Sequence, residues 1–491
     1  MKTDRAETDT LLPRLQQLGA YLDQYLRFEH GDAMQHAEQW QHIVNADVPE
    51  QGMGIERVID ELGQSIIPNG SQIPRPGCTS FITTGSTSIG VLATLASGVA
   101  APQRIGLNAF SHLEETSLRW LAEMFDLDEQ MKGVYSSGGS VANIVALGAA
   151  RQWAFEQLGI DPAKHGVNKS SHIYATSASH HTIHRAAAVL GLGRDSVITI
   201  PSDTMGRMLP AKLEEQLDKD KNNDALAIAI IANAGTTAAG AIDPLEELGA
   251  IANKHRIWFH VDGAYGLPGI LDPQVKPLYK GLSYADSVIV DPHKWLGAPV
   301  GIGATFVRDR TLLYRAFTQG ASDYLEGSFT DMNAEHSMDQ VGIPYHDFGV
   351  ELSAPSRGAV VWALISEIGK QGLAERVIRH NQMARSLARR VEQEKHLELI
   401  QEPTLSICCF RYINAAANDL NELNNRIHRQ LVHNNQNIPS TVMVNNKLAI
   451  RPCFVGARTS WQHVDDLVDE VLMIGNELSA HQVQHNKSYR N

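Results

Sequence analysis

The chain has 491 residues, enough for two or three units of ordinary domain size, and a formal net charge of −13 from 42 basic and 55 acidic residues. An acidic chain without a Lys/Arg tract argues against nucleic acid or an anionic membrane as a partner, and no apolar run is long enough to span a bilayer. Four cysteines without CxxC spacing and a polar, charged N-terminus predict a cytoplasmic protein with reduced thiols, which acts on a small molecule.

The first part of the chain, residues 1–74, predicts a helical arm. Leu11, Leu15, Leu18 and Leu22 recur at spacings of three and four, which places them on one face of a helix. Polar breaks separate this helix from the helical stretches that follow it.

From Lys132 onward, short apolar runs alternate with segments of helix length. Such runs are typical of parallel strands that helices cover on both faces. The candidate strands are His172–Thr176, Ser196–Ile200, Leu226–Ile231, Ile257–Val261, Ser287–Val290 and Ile302–Val307. Between them, Pro244–His255 predicts a helix with Asp243 as its N-cap. We therefore expect a large α/β domain with a mostly parallel sheet over residues 75–368.

The last part of the chain, residues 369–491, predicts a smaller α+β domain. Its first helix, expected over Leu373–Glu394, has one apolar stripe and is therefore expected to pack on a core along one side. The further candidate strands and helices are Leu397–Ile400, Leu405–Tyr412, Leu420–His433, Leu448–Cys453 and Gln462–Ala480.

Two polar residues that closely follow apolar runs suggest chemistry beyond packing. Asp262 lies in the stretch His260–Tyr265, and Lys294 lies in Asp291-Pro292-His293-Lys294-Trp295. A carboxylate that keeps a pyridine nitrogen protonated, and a lysine that forms a Schiff base, are the two protein groups that a pyridoxal 5'-phosphate (PLP) enzyme needs. Taken singly, a lysine is usually a solvated surface residue, and such an aspartate usually caps a turn. The apolar strand before each residue favours the coenzyme site.

A Ser/Gly stretch from Ser136 to Ser140 precedes the predicted helix Val141–Phe155. Backbone N–H groups at a helix N-terminus, with little side-chain bulk, are suited to a phosphate. Such a stretch alone is more often a plain turn, and the missing Gly-Lys-Ser/Thr excludes a Walker loop. Thr236 adds a hydroxyl after another strand, where the bland interpretation is again a loop.

Three histidines, His180, His181 and His184, raise the question of a metal site. Adjacent histidines point in different directions, no Glu stands between them as in HExxH, and no Cys or carboxylate ligand is near in sequence. The sequence therefore predicts no metal. Stacking of one imidazole on an aromatic coenzyme ring is the preferred interpretation.

Together these motifs resemble those of the group II PLP-dependent amino acid decarboxylases, a family that includes aromatic amino acid, glutamate and diaminobutyrate decarboxylases. The strongest motif runs from Ala285 to Trp295, and the resemblance extends from about Arg75 to the C-terminal helix. It implies an α/β fold of the fold type I PLP-dependent transferase kind: a large domain with a seven-stranded, mostly parallel sheet, a small C-terminal α+β domain and an N-terminal helical arm. It also implies a homodimer with its sites at the interface.

The resemblance implies a role for each matching residue. Lys294 carries the coenzyme, and His293 contacts its phosphate. Asp262 pairs with the pyridine nitrogen. Ala264 and His180 pack on the two faces of the ring.

Further matches are implied outside these motifs. Gly139 and Ser140 match the phosphate loop, and Thr236 matches a threonine near the coenzyme. Thr84 falls where these enzymes hold the substrate near its α-carboxylate. Tyr345 matches the tyrosine of a mobile loop that protonates the α-carbon after carbon dioxide leaves.

The chain departs from the family at three places. Residues 75–79 replace a His-Pro-x-Phe-Phe segment, which weakens the assignment of an aromatic substrate. The arginine-rich stretch after the mobile loop is reduced to Arg357. Asp291 replaces an asparagine, which changes the charge beside the phosphate. The expected function is decarboxylation of an L-amino acid to its amine and carbon dioxide, with the amino acid left open. The alternatives are another PLP reaction, such as aldehyde synthesis, transamination or carbon–carbon lysis, and an inactive coenzyme-binding dimer.

Overall fold

The computed structural model of the chain describes residues 10–29, 37–83, 85–102, 104, 109–221, 225–318, 343, 345–415 and 417–488. Three helices form its N-terminal part: α1 (Leu11–Tyr25), α2 (Ala37–Val44) and α3 (Ile55–Glu61). Helix α1 buries none of its residues. Polar contacts hold it against α3, such as the hydrogen bond of 2.7 Å from the Tyr21 hydroxyl to Asp60. Its apolar stripe is therefore only partly covered in the single chain, with Leu15, Leu18 and Leu22 half-buried and Leu11 exposed.

A seven-stranded sheet forms the centre of the next part of the chain. A short strand β1 (Cys78–Thr79) and helices α4 (Ser88–Ala100) and α5 (Ala109–Met124) precede it. The seven strands are β2 (Lys132–Ser136), β3 (Ser171–Thr176), β4 (Val197–Ile200), β5 (Leu226–Asn233), β6 (Trp258–Asp262), β7 (Ser287–Val290) and β8 (Gly303–Val307). The accompanying helices are α6 (Gly139–Glu156), α7 (Pro162–His165), α8 (Thr182–Val189), α9 (Pro210–Asp220), α10 (Leu245–His255) and α11 (Arg310–Phe317).

The strand order is β2-β8-β7-β6-β5-β3-β4. Strand β8 runs antiparallel to both of its neighbours, and the other pairs are parallel. This confirms the predicted fold class with its mostly parallel sheet. Strands β6 and β7 are buried at every residue, which is why they are continuous apolar runs in the sequence. Strand β2 was not among the six candidates, since Lys132 and Gly133 interrupt its apolar pattern.

The start of helix α10 differs from the prediction. Pro244 rather than Asp243 is its N-cap residue. The Asp243 carboxylate accepts hydrogen bonds instead from the backbone N–H groups of Asn233 (2.6 Å) and Met208 (2.7 Å). Burial raises the pKa of Asp243 to about 6. This residue therefore ties the end of β5 to the segment before α9.

The C-terminal part contains a second sheet and a second core. Its elements are α12 (Arg357–Gln393), β9 (Leu397–Gln401), β10 (Cys409–Tyr412), α13 (Leu420–Asn434), β11 (Ile438–Val444), β12 (Lys447–Arg451) and α14 (Trp461–Ser488). The sheet order is β1-β11-β12-β10-β9, so the short strand β1 pairs with a strand from the far end of the chain. Helix α12 begins earlier than the predicted Leu373, because its first half packs against α4 and α5. The domain divisions at 74/75 and 368/369 stay predictions.

Candidate active site

A cavity of about 270 Å³ lies at the carboxyl ends of the parallel strands, where open α/β sheets bind ligands. It contains most of the residues that the sequence singled out. Its lining is Ser137, Gly138, Gly139, Ser140, Asn143, His180, Thr182, Asn233, Gly235, Thr236, Thr237, Asp262, Ala264, Tyr265, Asp291, His293 and Lys294. Segments far apart in sequence meet there because the strands that carry them end at one edge of the sheet.

Asp262 is the last residue of β6 and is 7% exposed. One carboxylate oxygen accepts a hydrogen bond from the backbone N–H of Ala264 at 3.1 Å, and the other accepts one from the Asn143 side-chain amide at 3.3 Å. The carboxylate is thus held at both oxygens while it lines the cavity. A buried carboxylate in this setting is suited to pair with a cationic ring nitrogen.

Asn143 links Asp262 to a buried histidine. Its amide oxygen lies 3.0 Å from Nε2 of His260, whose Nδ1 lies 2.8 Å from the hydroxyl of Ser287. Burial lowers the pKa of His260 to about 4, so the imidazole is neutral at pH 7. Sequence reasoning missed Asn143, although an amide one helical turn after Ser140, in an otherwise apolar helix, was an available signal.

Lys294 follows β7 in a tight turn, in which its backbone N–H donates to the carbonyl of Asp291 at 2.9 Å. Its ammonium nitrogen lies 3.1 Å from Oδ2 of Asp291, a carboxylate whose side chain is only 1% exposed. The lysine therefore reaches the cavity as one half of an ion pair. Sequence reasoning had noted Asp291 as a change of charge but had given it no role.

The N-terminus of α6 forms the polar cradle at one end of the cavity. Gly138 has φ 118°, a conformation that side chains disfavour, and a Cβ there would lie 3.1 Å from Cε1 of His293. The backbone of Gly139 and Ser140 continues this cradle into the helix. Nδ1 of His293 lies 2.6 Å from the carbonyl of Ile302 and donates to it, which leaves Nε2 for other partners. Bare N–H groups and an imidazole are suited to a phosphate.

His180 and Ala264 also line the cavity. Nδ1 of His180 lies 2.9 Å from the Thr182 hydroxyl. Burial lowers the pKa of His180, and the nearby positive charge of Lys294 lowers it further, which favours a neutral ring that can stack on a cationic one. Within the described residues, no group of three or more His, Cys, Asp and Glu side chains is arranged to hold a metal ion.

Comparison with known proteins identifies the family. Residues 37–413 match the pyridoxal-dependent decarboxylase conserved domain. The chain belongs to this family. An aromatic-L-amino-acid decarboxylase of Bacillus atrophaeus is 28% identical over 438 residues, 88% of each chain. A phenylacetaldehyde synthase of Arabidopsis thaliana is 25% identical over 433 residues, 85% of each chain.

Among solved structures, a crystal structure of Oryza sativa TDC with PLP and tryptamine superposes with a TM-score of 0.88 at 20% identity. The match covers 98% of this chain and 99% of that one. This likeness concerns the fold. The family match and the relatives confirm three predictions: the decarboxylase family, the coenzyme PLP and an enzyme of the carboxy-lyase class.

The residues of this decarboxylase cavity fit PLP. A side chain at Gly139 would fill the cradle, since a Cβ there would lie 2.7 Å from Oδ2 of Asp291. The cradle would hold the phosphate, Asp262 the pyridine nitrogen and Lys294 the aldehyde carbon. When bound, PLP supplies a cationic ring that withdraws electrons from the substrate's α-carbon.

The loop after β5 brings Thr236 to the cavity and is held by a residue that the sequence did not single out. The Thr236 hydroxyl accepts a hydrogen bond from the backbone N–H of Ala241 at 3.0 Å. Arg451, on β12, is 5% exposed and donates to the carbonyls of Thr237 and Ala238, the latter at 3.2 Å. Within the described ranges no carboxylate forms an ion pair with Arg451. Arg451 therefore supports one wall of the site through hydrogen bonds to backbone carbonyls.

Of the remaining predicted site residues, Tyr345 is not among those that line the cavity. Thr84 lies outside the described residues. Tyr345 is 2% exposed, its hydroxyl contacts Glu115, and the guanidinium of Arg310 lies 5.5 Å from the centre of its ring. Burial raises the pKa of Tyr345 far above the usual value. Its role as a proton donor stays a prediction, to which this position lends no support.

Proposed function

We propose that the enzyme removes the α-carboxylate of an L-amino acid as carbon dioxide and releases the corresponding amine. The observation that carries this proposal is the presence of Lys294, Asp262 and His180 in one cavity at the end of the parallel strands. An inactive coenzyme-binding dimer would have no need of all three groups.

Each side chain has a proposed task. Lys294, which lines the cavity, would hold the coenzyme through its side-chain nitrogen and would be free as an amine while the substrate is bound. Asp262, fixed by Ala264 and Asn143, keeps the ring nitrogen protonated, and this preorganised charge supplies much of the rate. His180, whose pKa is lowered by burial, lines the cavity and would face the ring as a neutral group.

Return of a proton to the α-carbon decides between an amine and other products. Lys294 is the proposed acid because it lines the cavity, whereas Tyr345 is buried against Glu115. An aldehyde product is the second candidate, because one relative is named a phenylacetaldehyde synthase. The proposed amine synthesis requires that protonation of the α-carbon be faster than its oxidation by dioxygen, which would give aldehyde, ammonia and peroxide.

The proposed setting of the enzyme is a cytoplasmic homodimer. All four cysteines are free thiols, as expected in a reducing compartment. Helix α4 leaves Val91, Leu92 and Val99 exposed, and its N-terminal end adjoins the turn after Lys294, since the backbone N–H of Thr87 donates to the carbonyl of Gly297 at 3.1 Å. A partner that covers α4 would therefore lie beside the cavity. Thr84 stays the predicted contact to the substrate.

A product assay tests the proposal. Purified wild type, Lys294→Ala and Lys276→Ala are incubated with aromatic, acidic and diamino acids, and carbon dioxide, amine, aldehyde and peroxide are measured. We expect carbon dioxide and amine in equal amounts for one class of substrate from wild type and from Lys276→Ala, whose lysine forms an exposed ion pair with Asp126. Lys294→Ala should lose both the products and the visible absorption of the bound coenzyme.

Other results separate the alternatives. Aldehyde with ammonia and peroxide would favour the second candidate. Bound coenzyme without release of carbon dioxide from any amino acid would contradict decarboxylation. Unchanged activity in Lys294→Ala would remove Lys294 from its proposed task.

A further inference from the structure

Asp291 is a buried carboxylate for which the proposed reaction has no use. Its side chain is 1% exposed, and Oδ2 lies 3.1 Å from the ammonium of Lys294. Oδ1 accepts no hydrogen bond from any of the described residues. Burying a charge with an unsatisfied oxygen is costly. Among the described residues Lys294 is the nearest ion-pair partner of Asp291, since Nε2 of His293 lies farther from Oδ2, at 3.9 Å.

Asp291 also lies against the cradle at the N-terminus of α6. A Cβ on Gly139 would be 2.7 Å from Oδ2, and a Cβ on Gly303 would be 2.8 Å from Oδ1. The carboxylate thus occupies the positive end of the helix to which a phosphate is drawn. A phosphate bound there would be a second anion beside the first.

The charge of this side chain matters more than its shape. Asparagine has the same outline as aspartate and no charge. The ammonium of Lys294 balances one negative charge at this end of the cavity. A phosphate adds between one and two more. The other described ion-pair partner of Asp291 is His293, which is charged only when protonated and whose Nε2 lies 3.9 Å from Oδ2.

We propose that Asp291 is a positioning residue that holds Lys294 at the phosphate end of the cavity and weakens the affinity for the phosphate group of the coenzyme. The inference rests on the coenzyme site described above. Asp291 thereby controls the affinity for the phosphate of the coenzyme and not the affinity for its ring.

Binding of PLP and of pyridoxal, which lacks the phosphate, tests the inference. Both are titrated into coenzyme-free wild type and Asp291→Asn at fixed pH and ionic strength, followed by visible absorption. Since both compounds bond to Lys294 in the same way, the ratio of their Kd values isolates the phosphate. We expect the preference for PLP over pyridoxal to rise roughly tenfold or more in Asp291→Asn, because like charges placed side by side in a site oppose binding strongly.

Asp286→Asn is the matched control. Asp286 is a partly buried carboxylate just before the same strand, β7, where it accepts a hydrogen bond from the backbone N–H of Phe259 at 2.8 Å, and it is not among the residues that line the cavity. Its substitution should leave the ratio of Kd values unchanged. Circular dichroism and thermal unfolding of each coenzyme-free variant verify that it is folded.

The outcomes are distinct. A ratio that is the same in wild type and Asp291→Asn, or that changes equally in Asp286→Asn, would overturn the role of Asp291. A wild type that binds neither compound would instead contradict the coenzyme site, and this inference with it.

Discussion

Asn143 links the Asp262 carboxylate to its polar neighbours in the site. Its amide nitrogen donates to Asp262 at 3.3 Å and to the Thr182 hydroxyl at 3.2 Å, and its oxygen accepts from His260. The Thr182 hydroxyl in turn contacts His180 at 2.9 Å. One amide thereby orients the carboxylate for the ring nitrogen and, through a threonine, the imidazole beside the ring. Such a residue acts through its neighbours rather than on the substrate.

We predict that Asn143→Leu lowers kcat about ten- to a hundredfold. A hydrogen bond to a charged group contributes about 1.5–3 kcal/mol, and leucine leaves Asp262 without its side-chain donor. The visible absorption band of the bound coenzyme should also shift, because the carboxylate that faces the ring nitrogen loses its fixed position. Steady-state kinetics and absorption spectra measure both effects.

Gln152→Ala is the control for this prediction. Gln152 is a buried amide on the same helix, α6, and donates to Glu156 and Asp161, each within 3.0 Å, away from the cavity. Its substitution should lower thermal stability and leave kcat and the spectrum unchanged. Equal kinetic effects in the two variants would show that Asn143 serves packing alone.

At the scale of elements, helix α12 is broken at Gly369. This residue has φ 67° and ψ 176° inside a run of 37 residues, a conformation accessible essentially to glycine alone. The break allows the first half of the helix to pack on α4 and α5 while the second half packs on β9 and α14. In a straight helix both halves would share one axis, and they could not be oriented separately towards the two cores.

Gly369→Ala should lower the free energy of unfolding by about 1–3 kcal/mol through backbone strain. No atom lies within 4 Å of the added Cβ, so steric overlap is not the cause. The same substitution at Gly19, on helix α1 and also in open space, should instead raise stability by about 0.5–1 kcal/mol. Denaturant unfolding compares the two; a neutral or stabilising Gly369→Ala would contradict the role of the break.

The second half of α12 is linked to the active-site turn through His380. Nδ1 of this buried histidine accepts from the indole N–H of Trp295 at 3.0 Å, and its Nε2 donates to the carbonyl of Gly456 at 3.1 Å. A protonated ring would have no acceptor for Trp295. Burial, with Arg379 and Arg376 nearby, lowers the pKa of His380 from 6.5 to about 3.

We expect the stability that His380 contributes to be present above pH 6.5 and to be lost as the pH falls from there towards 3. Between these pH values His380 is protonated in the unfolded chain but remains neutral in the folded chain. Each pH unit in this window costs about 1.4 kcal/mol. His380→Gln, which keeps a donor and an acceptor but does not titrate, should lose about 2 kcal/mol less than wild type between pH 7 and pH 5. Urea unfolding at the two pH values measures this; identical losses would contradict it.

At the scale of the whole molecule, apolar surface remains uncovered next to the active site. Leu92 and Val99 on α4 are 58% and 65% exposed, and Val300, in the loop before β8, is 76% exposed. Helix α1 also has no buried residue. Contiguous apolar patches on a soluble chain mark interaction sites, and a second copy of the chain is the proposed partner.

Leu92→Glu combined with Val99→Glu should convert a dimer of twice 53.9 kDa into monomers of 53.9 kDa and lower activity, because charges buried in an apolar interface are strongly unfavourable. Analytical ultracentrifugation measures the mass. Met473→Glu is the control, since this residue is 51% exposed on α14, which packs on α12, α13 and β10 rather than on α4. A monomeric wild type, or a double variant that stays dimeric, would contradict the proposed interface.

The sequence by itself determined the family, the coenzyme and the main chemical groups, because short contiguous motifs contain the residues that indicate them. Asp262 and Lys294 each follow a short apolar strand, and the carboxyl ends of neighbouring parallel strands lie at one edge of the sheet. Only the tertiary structure decided what surrounds these groups. Asn143 and Arg451 gain their meaning from neighbours more than a hundred residues away. Tyr345 occupied a matching place in sequence, yet packing buried its hydroxyl against Glu115. Motifs specify which groups are present, whereas packing and burial fix which of them meet and with what charge.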